Sequence, residues 1–452
     1  MIEFLPLGGA GEIGANSYYL DLDGLGVILD CGMHPQKTGL DSLPKFYLLN
    51  DKPTDYVLIS HAHQDHLNAL PFLIKKFPHL KIITTPQTRA VAELTFNNAI
   101  SILKRQVDGS EFEIYTRDEV DLLIKSINYK SYNEKFTLNS FSSTSQAEVE
   151  FFDAGHIIGS AGILIRYKNK KIFFTGDIKL SSQTLLPRAT LPNGKIDLLI
   201  TETTYGATDS SGINDWEKEA ERFITSINKI INKGGSVLIP VFALGKMQEM
   251  LSTIWLMMQR NKIAKVDIYT AGIGNKISRV YDYNRFVVNR NEKELVLHEI
   301  PQKNLNEIKD TDEVFKFPSI VLASSGMMIE NTNSYYFAKR WFQKKGSAIF
   351  TVGYMDSSTP GFIIANAKKG DKIQLNQNDK KVEVKCEINN FRFSSHSKRE
   401  ELLSLVKLLN PQNVILVHGD IEAIDWMGAS ILRNFPDKKV YAAALGKSIR
   451  FD

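Results

Sequence analysis

With 452 residues, 43% of them apolar and 23% charged, the chain exceeds one ordinary hydrophobic core and has the composition of a globular protein of two domains. A formal charge of only +4 excludes a global field able to hold a polyanion, which leaves that task to local patches and metal ions. Cys31 and Cys386 are too few for a disulfide framework or a thiolate metal site; no apolar run reaches membrane-spanning length and no leader pattern follows Met1, so the cytoplasm, away from any membrane, is the expected location.

In chain order, short strands are predicted at 3–7, 17–22 and 26–30, the last two joined by Asp23-Gly24, a hairpin signal. Gly8-Gly9-Ala10-Gly11 predicts a loop whose backbone closely approaches another group, and Asp30 ends the third strand as either a loop cap or a carboxylate that orients a metal-bound histidine. The apolar run 56–59 predicts a strand, and 67–74 carries helical spacing. Between them lies Ser60-His61-Ala62-His63-Gln64-Asp65-His66. In extended chain His61 and His63 project to one side, while Asp65 and His66 fall where a helix starts and aim at a second, nearby point. Four ligand-type side chains in six positions exceed what a helix cap needs, and imidazole with carboxylate suits a pair of zinc ions, with manganese or iron as competitors.

A strand at 82–84, helices from Pro86 to about residue 105 and over 116–126, and a polar loop at 139–145 follow. Strand 149–153 leads to His156, a hairpin of 163–167 with 171–175 leads to Asp177, and strand 197–201 delivers Glu202. From about 207 the pattern becomes an alternation of helix and strand: helices 216–232 and 246–259, strands 236–241, 266–269, 319–323 and 347–352, predicting a parallel sheet. Ser324-Ser325-Gly326 at one strand end presents donors to a phosphate or makes a simple turn. Hairpin strands at 372–375 and 382–385, then His396, an amphipathic helix to Leu409, strand 414–417 and His418 return the chain to its first domain. Six histidines, His61, His63, His66, His156, His396 and His418, thus lie in short turns after strand-like runs; His34, His79 and His298 read as loop or surface residues.

Two divalent cations about 4 Å apart polarise a phosphoryl or carbonyl oxygen and supply a nucleophile, so hydrolysis is the expected reaction class. Asp177 is the candidate bridging carboxylate, and Glu202 beside a histidine such as His396 would keep that ring protonated for a leaving oxygen.

The set His61-Ala62-His63-Gln64-Asp65-His66, His156, Asp177 and Asp30 resembles the signature of the metallo-β-lactamase fold. Glu202-Thr203-Thr204-Tyr205-Gly206, Pro240-Val241-Phe242-Ala243-Leu244-Gly245, Ser324-Ser325-Gly326-Met327-Met328, Phe393-Ser394-Ser395-His396 and Leu416-Val417-His418-Gly419 resemble its nucleic-acid branch, the β-CASP nucleases, in particular the endonucleases of mRNA 3′-end cleavage and their shorter prokaryotic relatives. The resemblance implies an α/β fold: an αβ/βα four-layer sandwich at 1–206 and 386–452, with a β-CASP domain containing a mainly parallel sheet inserted at 207–385. It implies one zinc held by His61, His63 and His156 and another by Asp65, His66 and His418, Asp177 being shared, with Asp30 supporting the histidines. Asp65, Glu202 and His396 are then the catalytic group, Glu202 and His396 forming the acid pair. It implies a ribonuclease acting on single-stranded RNA that enters between the domains, with His418 favouring RNA over DNA. Lys246, Ser324 and Ser325 are the expected phosphate contacts, and the lysines at 368, 369, 372, 380, 381 and 385 read as a solvated face. Ile329-Glu330-Asn331 and Met355-Asp356-Ser357 depart from the relatives' usual Gly-Gly-Arg and Glu-Gly-Thr segments. A catalytically weak RNA-binding scaffold and a hydrolase of small thioesters or lactones are the alternatives, and a homodimer is an open assembly state.

Overall fold

Alternation of side chains along the strands sets the layers. The computed structural model, which describes residues 1–106, 115–308, 310–376 and 379–451, divides into two compact units. One comprises Met1–Ser181, Arg188–Ser211 and His396–Asp452; the other comprises Ser182–Pro187 and Gly212–Ser395.

The first unit contains two seven-stranded sheets. Across the first run the strands Ile449–Phe451, Ile2–Gly8, Ser17–Leu22, Gly26–Leu29, Tyr56–Leu58, Lys81–Thr84 and Asn128–Tyr129. Across the second run Lys439–Ala442, Asn413–Val417, Leu198–Glu202, Lys170–Phe174, Ala161–Tyr167, Gln146–Asp153 and Lys135–Asn139. Leu20, Leu22, Val27 and Leu29 of the first sheet share one buried core with Ile163, Ile165, Ile172, Phe174, Leu198, Ile200, Ile415 and Val417 of the second. The intervening residues Leu164, Phe173, Leu199, Val414 and Leu416 point the other way and pack against Leu402, Leu405, Val406, Ile424, Met427 and Ile431, which lie on the helices Arg399–Leu409 and Ile421–Asn434. The central strands of the second sheet are therefore apolar on both faces, and each buried aliphatic side chain contributes about 1.5–3 kcal/mol. The helix Arg399–Leu409 follows from apolar residues at i, i+3, i+4 and i+7, Glu401 accepting from the Lys398 N–H at 2.7 Å, and Asn410 ending it in the left-handed region.

The second unit is built on a six-stranded sheet, Lys303–Asn304, Asp267–Thr270, Ser319–Ala323, Val237–Pro240, Ala348–Thr351 and Glu387–Asn390, in which every pairing is parallel. Its helix Trp216–Ile231 is started by Asp215, whose carboxylate accepts from the Lys218 N–H. Among the described residues, no helix is long and apolar enough to cross a membrane.

The structure adds elements that periodicity does not announce. The helices Gly274–Tyr283, Asn333–Trp341 and Pro360–Asn366 are short or aromatic-rich, and the strand Lys135–Asn139 lies just before the expected loop. The strands expected at 372–375 and 382–385 reduce to the two-residue pair Lys372–Ile373 and Val382–Glu383. His34, read as a loop or surface residue, lies in a loop but is buried, with Nε2 3.5 Å from the Glu12 carboxylate.

Candidate metal centre

Every candidate ligand stands just beyond a strand of the first unit, on turns whose glycines allow close approach. After Tyr56–Leu58 the chain stays extended through His63 (φ −70°, ψ 153°) and then enters the helix Gln64–Leu67, which carries Asp65 and His66. That helix is tied to the first sheet: Cys31 N donates to His66 O, and Gly32 passes so near that a Cβ there would lie 1.7 Å from Asp65 O. His156 follows Gln146–Asp153, Asp177 follows Lys170–Phe174, Glu202 ends Leu198–Glu202, and His418 follows Asn413–Val417 with φ 49°. Gly176, with φ 52°, lets the Asp177 turn close onto Ser60.

The side chains converge on two adjacent points. Nδ1 of His63 lies 3.2 Å from Nε2 of His61 and 3.0 Å from Nε2 of His156, while Oδ2 of Asp177 is 3.5 and 3.6 Å from the latter two nitrogens. At the second point Oδ2 of Asp65 is 3.6 Å from Nε2 of His66 and 3.2 Å from Nε2 of His418. Oδ1 of Asp177 lies 3.3 Å from Nε2 of His66, so this one carboxylate turns an oxygen toward each point. A tetrahedron with ligand bonds of 2.0–2.1 Å has edges of roughly 3.3 Å, the spacing of these atoms.

Hydrogen bonding aims the lone pairs inward. Asp30, fully buried, accepts from Ser60 N at 2.6 Å, from Ser60 Oγ at 2.8 Å and from Nδ1 of His66 at 2.7 Å. His66 is thereby protonated on Nδ1 and offers Nε2; Ser60 Oγ, its proton on Asp30, accepts from Nδ1 of His61, which also leaves Nε2 as the free lone pair. Oδ1 of Asp177 is buried without a hydrogen-bond partner. Such an orphaned carboxylate oxygen among inward imidazole nitrogens fits a bridging position between cations.

The charges answer to the same crowding. Burial pushes Asp177 up, but the rings of His418, His66 and His396 outweigh it and hold the carboxyl well below its ordinary range. Burial and the neighbouring His66 push His61 well below the ordinary histidine value, which keeps it neutral as a ligand must be. His66 is driven up despite burial, because Asp177, Asp65 and Asp30 surround it; a cation at Nε2 competes with that proton.

Nδ1 of His396 sits 3.1 Å from both oxygens of Glu202, and Glu202 also accepts from Ile178 N at 2.8 Å. Burial opposes a charged ring at His396, yet Glu202 and Asp177 raise it above its ordinary value. Nδ1 of His396 is 3.9 Å from Oδ2 of Asp177, so the pair adjoins the cluster.

Sequence reasoning passed over the groups that hold these side chains. Asn16, wholly buried, donates through Nδ2 to Asp65 O at 3.0 Å and faces Nε2 of His66 at 3.1 Å, while its Oδ1 accepts from Tyr18 OH. The group that the Gly8–Gly11 loop approaches is the chain itself: a Cβ at Gly9 would meet Oδ1 of Asn16 at 2.3 Å. Lys179 donates to His396 O at 3.1 Å, and Thr204 touches both Glu202 and His418. The glycine cluster was the one signal pointing toward Asn16.

The phosphate candidates lie in the second unit. Lys246, expected to meet a phosphate, is buried with Nζ donating to Phe393 O and, at 3.0 Å, to Ser395 Oγ, so its ammonium holds the segment that precedes His396. Ser324 and Ser325 are half-buried at the end of Ser319–Ala323, with Oγ of Ser325 accepting from Ile329 N at 3.1 Å.

Fold and donor set together are those of the metallo-β-lactamase type. Residues 10–211 match the family described as the metallo-beta-lactamase superfamily, residues 247–364 match the Beta-Casp domain, and residues 381–443 match the Zn-dependent metallo-hydrolase RNA specificity domain. The RNase J-like protein of Methanocaldococcus jannaschii is 32% identical, the match covering 91% of each chain. The chain belongs to the β-CASP family of the metallo-β-lactamase superfamily. Cleavage and polyadenylation specificity factor 73 of Drosophila melanogaster is 28% identical over 96% of this chain and 62% of its own length. Endoribonuclease ysh1 of Schizosaccharomyces pombe is 29% identical over 97% of this chain and 57% of its own, so the chain spans about three-fifths of these two relatives. A crystal structure of a protein of unknown function from Enterococcus faecalis shares the fold, with a TM-score of 0.61 at 14% identity over 99% of each chain.

Proposed function

We propose that the protein is a zinc-dependent ribonuclease that hydrolyses phosphodiester bonds within single-stranded RNA, in RNA processing or decay in the cytoplasm. The observation that carries this reading is the Glu202–His396 pair beside a complete set of seven metal-ligand candidates, a combination that serves an alkoxide leaving group. The named relatives are endoribonucleases and cleavage factors, and the match of residues 381–443 to an RNA specificity domain supports RNA as the substrate.

In this reading His61, His63 and His156 hold one cation, Asp65, His66 and His418 the other, and Asp177 both. A pair of cations held there would supply Lewis acidity at the scissile phosphate and a nucleophile at neutral pH. The chain's own groups do the rest. Asp30 and Ser60 fix the tautomers of His66 and His61; Glu202 keeps the ring of His396 charged; His396 gives a proton to the leaving oxygen; Lys179 holds the backbone of His396 in place. Ser324 and Ser325 are proposed phosphate contacts, while Lys246 is proposed to hold the 393–395 segment. The test uses full-length protein and RNA labelled at either end, with and without a chelator. Internal cuts seen from both labels, lost on chelation and restored by zinc, are expected; a zinc-replete protein that leaves RNA intact would end the proposal.

A further inference from the structure

The hydroxyl of Thr204 joins two groups that the proposed chemistry treats separately. It donates to Oε2 of Glu202 at 2.5 Å, and the same oxygen lies 3.0 Å from Nδ1 of His418. A hydroxyl carries one proton. With that proton on the carboxylate, Oγ1 is only an acceptor, so Nδ1 of His418 is the donor and the imidazole lone pair is on Nε2. The reverse assignment needs a proton on Oε2 of Glu202, an oxygen that also faces Nδ1 of His396 at 3.1 Å.

Nε2 of His418 lies 3.2 Å from Oδ2 of Asp65, a candidate ligand of the second cation. Nδ1 has a second acceptor in range, Oδ1 of Asp177 at 3.2 Å. Among the described residues, only Thr204 meets Nδ1 in hydrogen-bonding geometry, and Oδ1 of Asp177 has no hydrogen-bond partner. The contact is imposed by the sheet: Glu202 pairs with Val417, Thr203 N donates to His418 O at 3.1 Å, and Thr203 Oγ1 donates to Val417 O at 3.0 Å. Thr204 is thus carried to His418 by backbone pairing, and its β-branch limits the hydroxyl to few rotamers.

We propose that Thr204 is a positioning residue of the metal centre, whose hydroxyl fixes His418 in the Nδ1–H tautomer and keeps that proton off Asp177. Nε2 of His418 and Oδ1 of Asp177 then both stay available to a cation. Through the same oxygen the acid pair and the metal ligands are held in one register. The inference rests on reading His418 and Asp177 as ligands.

The experiment measures metal affinity rather than turnover. Full-length protein, stripped with a chelator, is titrated with zinc against a chromophoric competitor, using the unaltered chain, Thr204→Val, Thr204→Ser and Asp65→Asn. Asp65→Asn is expected to lose one cation; Thr204→Val is expected to hold its weaker cation about 10- to 100-fold less tightly, and Thr204→Ser to stay within about threefold. Thr204→Val binding as the unaltered chain does, while Asp65→Asn loses a cation, overturns the role of Thr204 alone. Asp65→Asn binding as the unaltered chain does overturns the ligand reading and this inference with it. Equal losses in Thr204→Ser and Thr204→Val assign the effect to packing and also overturn it.

Discussion

Asp30 shows how much of the centre hangs on single groups. It takes three donors with two oxygens in a buried pocket, and burial raises its pKa even though His66 pulls the other way. Asp30→Asn turns an amide toward donors and leaves His66 without its anion, a change expected to destabilise the first unit by about 3–5 kcal/mol, read as the shift in chemical denaturation. His396 yields a pH prediction. In the proposed reaction its charged ring is the acid, so activity is expected to fall as pH rises through a pKa that lies above the ordinary histidine value; Glu202→Gln removes the carboxylate that raises it. The alkaline limb of kcat/KM is therefore expected to move to lower pH in that variant, and an unmoved limb assigns the proton to another group. The four ligand candidates at 61–66 were legible as a cluster, because four ligand-type side chains in six positions have no cheaper use. Asn16, Thr204 and Lys179 were not, since a lone amide, hydroxyl or ammonium gains meaning only from a neighbour more than 40 residues away for Asn16 and more than 200 for the other two.

At the scale of elements, strands buried on both faces were readable as apolar runs, and each ligand's place after a strand followed from them. Edge elements such as Lys303–Asn304 and Lys439–Ala442 were not, because pairing with a neighbour defines them more than their own pattern. One buried group on a helix carries a prediction here. Glu249, in the first turn of Lys246–Gln259, is fully buried, accepts from Leu185 N at 2.8 Å and Leu186 N at 3.1 Å, and is pushed up to about 7 by burial. Unfolded, it ionises near the ordinary glutamate value, so between there and about 7 the folded chain binds more protons than the unfolded one. The contribution of Glu249 is complete at the acid end and lost as pH rises through its folded pKa. Against Glu249→Gln as reference, the unaltered chain is expected to lose stability between pH about 5 and about 8, read as the difference in melting temperature across that range. A difference that is flat with pH contradicts the assignment.

For the whole molecule, what matters is which unit the cations hold together. His61, His63, Asp65 and His66 stand on a turn of the first sheet, whereas His156, Asp177 and His418 stand on turns of the second, and all seven lie in the first unit. A cation pair held by these groups would clamp loops from two sheets whose strands already share a core, between anionic and imidazole atoms that lie 3.0–3.6 Å from one another. Binding adds RT ln(1 + [L]/Kd) to stability, about 4 kcal/mol at a thousandfold excess over Kd, and it does so where the ligands are. The parallel sheet of the second unit contributes none of the seven. Hydrogen exchange of the metal-stripped protein is accordingly expected to slow on adding zinc at residues 59–68, 154–160, 175–178 and 417–420. The strands Val237–Pro240, Ser319–Ala323 and Ala348–Thr351 are expected to exchange as before. Protection that appears in the second unit's sheet and not on the four turns would place the cations elsewhere. Protection at 59–66 and 156 without 417–420 would leave His418 outside the ligand set, and the second cation would then have to be held by Asp65, His66 and Asp177 alone.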